Sequence, residues 1–228
     1  MRSTLRCFLS AGLLMLGPLC FGQALHLRIE YSGKVKSPIP PAVVWLRPLE
    51  PIDQPLAPHK TYTLLQKNRS FVPHLLVVPT GSEVLFPNED PFYHNVFSLF
   101  DGKRFDLGLY EAGSTKTVTF TREGVSYIFC NIHPEMSAVV VALSTPFYGT
   151  ADASGSATLW DVPAGSYELH VWAEGVQQPV LEKLTRRVHV TAGEGDLGEV
   201  TIPAMPTRAP THLNKFGQPY DRTSKTTY

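Results

Sequence analysis

The chain has 228 residues, with 20 lysines and arginines balanced by 20 aspartates and glutamates. That balance gives no electrostatic footprint for nucleic acid, whose binding depends on basic side chains neutralising phosphates. With 20 prolines, 17 glycines and abundant valine, threonine and aromatic residues, and no sustained helical periodicity, the composition argues for all-β structure and against a helical bundle.

In chain order, MRSTLRCFLSAGLLMLGPLCFGQA comes first: Arg2 and Arg6 precede an apolar run, Cys7 to Phe21, that ends in small residues. This is the layout of a secretory signal peptide over residues 1–23, cleaved near Gly22 or Ala24. The run, broken by Gly12, Gly17 and Pro18, is too short to span a bilayer comfortably. Its loss predicts a periplasmic or secreted protein, slightly acidic and without a membrane span. Cys7 and Cys20 leave with it, so Cys130 is the sole cysteine of the mature chain. It has no disulfide partner within the chain, and a lone thiol in an oxidising compartment is a candidate for metal binding, reactivity or intermolecular pairing.

LHLRIEYSG from Leu25 alternates as a strand, KSPIPP is a loop, and AVVWLRPL (Ala42 to Leu49) is a second strand. PLEPIDQPLAPHKTY (Pro48 to Tyr62) has too many prolines for a central strand and reads as a surface excursion. After it, FVPHLLVVPTG, EVLFPNED, HNVFSLF, STKTVTF and GVSYIFC are short apolar runs punctuated by Gly, Pro, Asn and Asp, and SAVVVALST closes a first unit over 24–145. In the second unit, 146–204, ADASGS reads as a hairpin turn. GSYELHVWA there places Tyr167, Leu169 and Val171 on one face and His170 and Trp172 on the other. The opposite face is expected to be covered by a neighbouring strand or the first unit. Residues 205–228 are polar and proline-containing, and read as a flexible C-terminal tail.

The chemistry concentrates in CNIHPEM, residues 130–136, which offers a thiolate at Cys130, an imidazole at His133 and a thioether at Met136. A copper ion that transfers one electron needs donors acceptable to both Cu(I) and Cu(II). Two imidazoles and a thiolate with a weak axial thioether meet that need. The second imidazole must come from another loop. His94 in FPNEDPFYHNVFS is the candidate, since it stands where one strand has ended and the next begins. Pro134 restricts the backbone of the residue before it. The same nitrogens and thiolate would also bind zinc.

PNED, HNVFS, YIFCNIHPEM and the valine strand that follows resemble the cupredoxins, the blue-copper proteins of the plastocyanin and azurin type, over roughly Ala42 to Leu143. The short spacing from Cys130 to Met136 is similar to that of amicyanin. The resemblance implies a Greek-key β-sandwich with one type 1 copper held by His94, Cys130, His133 and Met136. It further implies that Asn95 ties the two ligand loops together by hydrogen bonding, and that His133 is the ligand nearest the surface. TADASGSATLWDVPAGSYELHVW resembles carboxypeptidase regulatory-like domains, small transthyretin-like β-sandwiches. The pairing of the two units is similar to bacterial exported proteins of the methylamine-utilisation or plastocyanin-like kind.

The other histidines, His26, His59, His74, His170, His189 and His212, are scattered. No two histidines lie within four residues of each other, so neither the HxH pairs of multicopper oxidases nor an HExxH helix is present. The expected function is therefore an electron carrier with a protein redox partner, not an enzyme. The competing reading is a module that binds or delivers copper, with the second unit docking a partner or polymer. Glu89 and Asp90 are read as a solvated acidic turn that could steer a cationic partner.

Overall fold

A computed structural model describes residues 22–33, 39–52, 60–99, 102–203 and 213–220. The expected leader up to residue 21, the middle of the proline-rich excursion (53–59) and most of the tail lie outside the described residues. Among those described, no helix is long and apolar enough to cross a membrane.

The structure is all-β. In chain order the strands are β1 (Gln23–Ser32), β2 (Ala42–Pro48), β3 (Thr61–Thr63), β4 (Leu65–Lys67), β5 (Ser70–Val72), β6 (Leu75–Pro79), β7 (Ser82–Pro87), β8 (His94–Ser98) and β9 (Phe105–Tyr110). Then come β10 (Thr115–Phe120), β11 (Gly124–Phe129), β12 (Ser137–Leu143), β13 (Tyr148–Thr150), β14 (Ser156–Val162) and β15 (Gly165–Ala173). A single-turn helix α1 (Gln178–Glu182), β16 (Arg186–Val190) and β17 (Asp196–Pro203) complete the described elements.

The strands form two sandwiches. One sets the sheet β10-β7-β3 against the sheet β6-β12-β11-β8-β9, with the small β4-β5 hairpin at its side. The other consists of β14-β1-β17 and β13-β2-β15-β16. The expected division at residue 145 therefore does not match the pairing. β1 hydrogen-bonds to β14 and β17, and β2 to β13 and β15, so both N-terminal strands complete the second sandwich. Along the described residues, the path runs through that sandwich in β1 and β2, crosses to the other for β3 to β12, and returns. Period-2 alternation, such as buried Leu25, Leu27 and Ile29 in β1, tells which face of a strand is apolar but not which sheet it joins.

ADASGS also differs from the expected hairpin, because β13 and β14 on either side of it lie in different sheets. The turn is held by Asp152 Oδ1, which accepts from Ser154 N at 2.8 Å and Ser156 N at 3.0 Å. Gly155 is required there: its φ is +86°, and a Cβ would stand 2.2 Å from the Ile29 carbonyl oxygen.

β12 joins the two sandwiches. Its Ala138, Val140 and Ala142 face the core that contains Phe86, Val96 and Ile128, while Val139, Val141 and Leu143 face the core built on Leu46, Leu159 and Leu169. A strand buried on both faces reads as a continuous apolar run, as SAVVVAL does. Trp172 meets the expectation for its face: the first sandwich covers it, and its Nε1 donates to Tyr127 Oη at 3.4 Å. His170 stacks on Trp45, with ring centroids 5.3 Å apart.

His74 pins the two sandwiches at the edge. Its Nε2 lies 2.7 Å from Glu174 Oε1 and its Nδ1 3.1 Å from the Ser137 carbonyl oxygen, an arrangement that suits an imidazolium donating through both nitrogens. The hydrogen bond to Glu174 raises its pKa above the ordinary histidine value, burial opposes the rise, and the Glu174 charge and Ser137 carbonyl add to it. A raised folded-state pKa gives stabilisation that is fully present below the unfolded value and is lost as pH rises through the folded one. His74→Ala should therefore destabilise the protein more at about pH 6 than at about pH 9, by under about 1 kcal/mol because the pair is partly solvated. Urea denaturation at the two pH values measures the difference; an equal loss at both would contradict it.

Candidate metal centre

β8 and β11 are neighbours in one sheet, with Phe97 paired to Phe129. His94 opens β8, and Cys130 directly follows β11. Sheet pairing thus brings together two segments that are 36 positions apart. The loop from Cys130 to Met136 closes on itself: Cys130 N–H donates to the Met136 carbonyl at 3.3 Å, and Met136 N–H to the His133 carbonyl at 3.0 Å.

Three of the expected ligands converge. His94 Nδ1 and His133 Nδ1 are 3.1 Å apart, and Cys130 Sγ lies 3.8 Å from the first and 3.6 Å from the second. A point equidistant from the corners of that triangle lies about 2 Å from each, the length of a metal–imidazole bond. Met136, the fourth expected ligand, is fully buried in the same apolar cluster as Cys130. His94 and Cys130 are inaccessible, whereas His133 is half-buried and so is the most accessible of the three.

The protonation states suit metal binding. His94 Nε2 sits 2.8 Å from Asp90 Oδ2, so the proton belongs on Nε2 and the Nδ1 lone pair is free towards the centre. Burial holds the His94 pKa below the usual value against the raising effect of Asp90. Burial, and then the neighbouring His94, lower that of His133. Burial raises the Cys130 thiol pKa, and the backbone N–H groups of Asn95, Ile132 and His133 offset part of the rise. A cation bound here displaces the thiol proton, and those N–H groups then serve the thiolate.

Asn95, expected to tie the two loops by hydrogen bonding, acts on the Cys130 thiol through its backbone N–H, which lowers the thiol pKa. Its side-chain Nδ2 goes to Asp106 Oδ1 at 2.7 Å. The structure also corrects the reading of Asp90. It is 4 % exposed and lies behind His94, whereas Glu89 is solvated and paired with Lys67 at 2.9 Å. Asn88 organises this turn: its Oδ1 accepts from Asp90 N at 3.0 Å and its Nδ2 donates to the Phe92 carbonyl at 2.8 Å. Phe92 in turn packs against both imidazoles, with centroids 5.2 Å from His94 and 5.5 Å from His133, beneath the Arg69 guanidinium.

The described part of the tail, 213–220, also reaches the centre. Lys215 N–H donates to Asn131 Oδ1 at 2.9 Å, Lys215 Nζ reaches Asp106 Oδ2 at 2.6 Å, and Tyr220 Oη donates to the Cys130 carbonyl at 2.8 Å. No sequence pattern announced these contacts. His74 is remote from the cluster in its bonding, being engaged with Glu174 and Ser137.

Two imidazoles and a thiolate form a soft-to-borderline donor set that suits copper or zinc rather than magnesium or calcium. The donors of His94, Cys130 and His133 form a cluster that can hold a copper ion. Asp90 completes no coordination there, because its oxygens face His94 Nε2 and backbone amides.

No protein-family model matches the chain, and no curated protein matches it. Among solved structures it is similar to a purple cupredoxin from Nitrosopumilus maritimus, at 23 % identity over 36 % of this chain and 99 % of that one, with a TM-score of 0.33. It is similar to a Cu-containing nitrite reductase from Thermus scotoductus, at 25 % identity over 43 % of this chain and 26 % of that one, with a TM-score of 0.36. A methionine variant of amicyanin in its Cu(I) form matches at 20 % identity over 36 % of this chain and 82 % of that one, with a TM-score of 0.35.

Proposed function

We propose that the chain is an exported blue-copper protein of the cupredoxin kind that carries single electrons between protein partners. In this reading His94, Cys130 and His133 hold one type 1 copper and Met136 supplies a weak axial thioether. The observation that carries it is the triangle of donor atoms, with sides of 3.1, 3.6 and 3.8 Å, assembled from two loops. Bound there, copper would supply a one-electron Cu(I)/Cu(II) couple.

The chain's own residues do the rest. His94 opens β8 and Cys130 follows the paired strand β11, and both are inaccessible, which holds the donors in place in either oxidation state. The N–H groups of Asn95, Ile132 and His133 compensate the thiolate charge. Phe92 and Met136 keep water from the buried side. His133, the accessible imidazole, is the port where a partner would come close enough for an electron to pass. The second sandwich, completed by β1 and β2, is the carboxypeptidase regulatory-like unit, and it serves as a rigid carrier or docking platform for the copper-binding one.

Voltammetry of the copper-loaded protein tests this. The expected result is one reversible one-electron wave, with rapid electron exchange between oxidised and reduced protein. Loss of copper to an acceptor chelator, without reversible redox, would reject the carrier in favour of copper delivery.

A further inference from the structure

We infer that Asp90 is a positioning residue for the copper site: its buried carboxylate, clamped by the β4-β5 turn, holds the His94 imidazole through Nε2 and lends it negative charge that favours Cu(II) over Cu(I). The inference rests on the copper reading above and goes beyond it, since neither the ligand set nor the fold requires a carboxylate at this place.

Three observations carry it. The first is geometric. Asp90 Oδ2 lies 2.8 Å from His94 Nε2, on the far side of the ring from the nitrogen that faces Cys130 and His133. The carboxylate therefore acts on the metal only through the imidazole.

The second is that the carboxylate is itself immobilised. Asn68 N–H donates to Oδ1 at 2.6 Å and Arg69 N–H to Oδ2 at 2.9 Å. Those two residues have φ of 54° and 55°, a left-handed pair that forms a tight two-residue turn between β4 and β5. Neither is glycine, so the turn adopts backbone angles that cost non-glycine residues energy, and it presents both amides to one acceptor. The Arg69 side chain then lies over Phe92, which packs against both imidazoles. One hairpin thus braces the centre at the carboxylate and at the aromatic ring.

The third is the cost of the arrangement. Asp90 is 4 % exposed, and a buried carboxylate is expensive unless it is paired and hydrogen-bonded. Besides the two amides, its partner is the Nε2–H of the neutral His94 imidazole, at 2.8 Å. A fixed anion behind that ring recovers more electrostatic energy when the metal on its other side is divalent than when it is monovalent. Carboxylate–histidine pairs of this kind fix the tautomer and raise ligand basicity, and their loss typically costs 10- to 100-fold in metal affinity. Borne mainly by Cu(II), a loss of about 10- to 100-fold raises the potential by about 60 to 120 mV, at about 59 mV per tenfold for one electron.

The test is Asp90→Asn, which keeps the shape and an acceptor for His94 Nε2 but removes the charge. The copper-loaded variant and wild type are compared by visible spectrum and by reduction potential. A retained blue band with the potential raised by about 60 mV or more is the expected result. A retained blue band with an unchanged potential would overturn the inference while leaving the copper reading intact. A wild-type protein without a blue band would remove both. Proton NMR of wild-type Cu(I) protein decides the matter even if the variant does not fold. A persistent, strongly downfield His94 Nε2–H resonance is expected, and its absence would overturn the inference.

Discussion

Replacing His94 with alanine is expected to weaken Cu(II) binding by more than the roughly 100-fold upper range for loss of a partner outside the ligand set. The effect is large because His94 is inaccessible and supplies one corner of the donor triangle, 3.1 Å from His133 Nδ1 and 3.8 Å from Cys130 Sγ. The change also takes from Asp90 one of the two donors on its Oδ2, leaving Arg69 N–H on that oxygen and Asn68 N–H on Oδ1. Competition against a chelator of known affinity measures the loss, and added imidazole, which can enter the cavity left behind, should restore part of it. A variant that binds Cu(II) within tenfold of wild type would show that His94 is not a ligand.

Leu46→Ala should cost about 3 to 5 kcal/mol of folding stability, the range for buried leucines truncated in a core that collapses only partly. Leu46 is inaccessible on β2, opposite Leu169 of β15. Its backbone is fastened on both sides of the peptide: Leu46 N–H donates to the Phe147 carbonyl at 2.9 Å, and its carbonyl accepts from Thr145 Oγ1 at 2.7 Å. The cavity would open in a core that also includes Val139, Val141 and Leu143 of β12. That strand carries the opposite face of the metal-binding sandwich, so the damage should reach both sandwiches in one transition. Denaturant unfolding of the metal-free variant measures it, the metal being left out because ligand binding adds its own stabilisation. A loss under about 1 kcal/mol, outside the range for buried leucines, or a second transition left at its wild-type midpoint, would contradict this account of the shared core.

The residues of the candidate metal centre were legible because their chemistry is local. Cys130, His133 and Met136 lie within seven positions, and the strand pattern around His94 predicted a turn end from which it could reach them. The all-β class was legible for the same reason, since alternation and turn residues act over a few positions. What stayed hidden depends on partners far away in the chain. Asp90, next to Glu89, looked like half of a solvated pair; its burial follows from the turn at Asn68 and Arg69 closing over it. Its spacing of four residues before His94 was the one available hint. β1 and β2 alternate as any strand of either sandwich would, so nothing in them told which sheet they enter. The run VVV in β12 did carry a signal, since a strand with one face in solvent has no use for three valines in succession. Lys215 and Tyr220 sit in a polar tail whose composition gives no reason to expect contacts with Asn131 and Cys130.

The most direct measurement is the visible absorption spectrum of the Cu(II)-loaded protein beside a Cys130→Ser control. The account predicts an intense blue thiolate-to-copper band that a reductant bleaches reversibly and that the control lacks. A colourless wild-type protein, or weak colour that persists unchanged in the control, would contradict it.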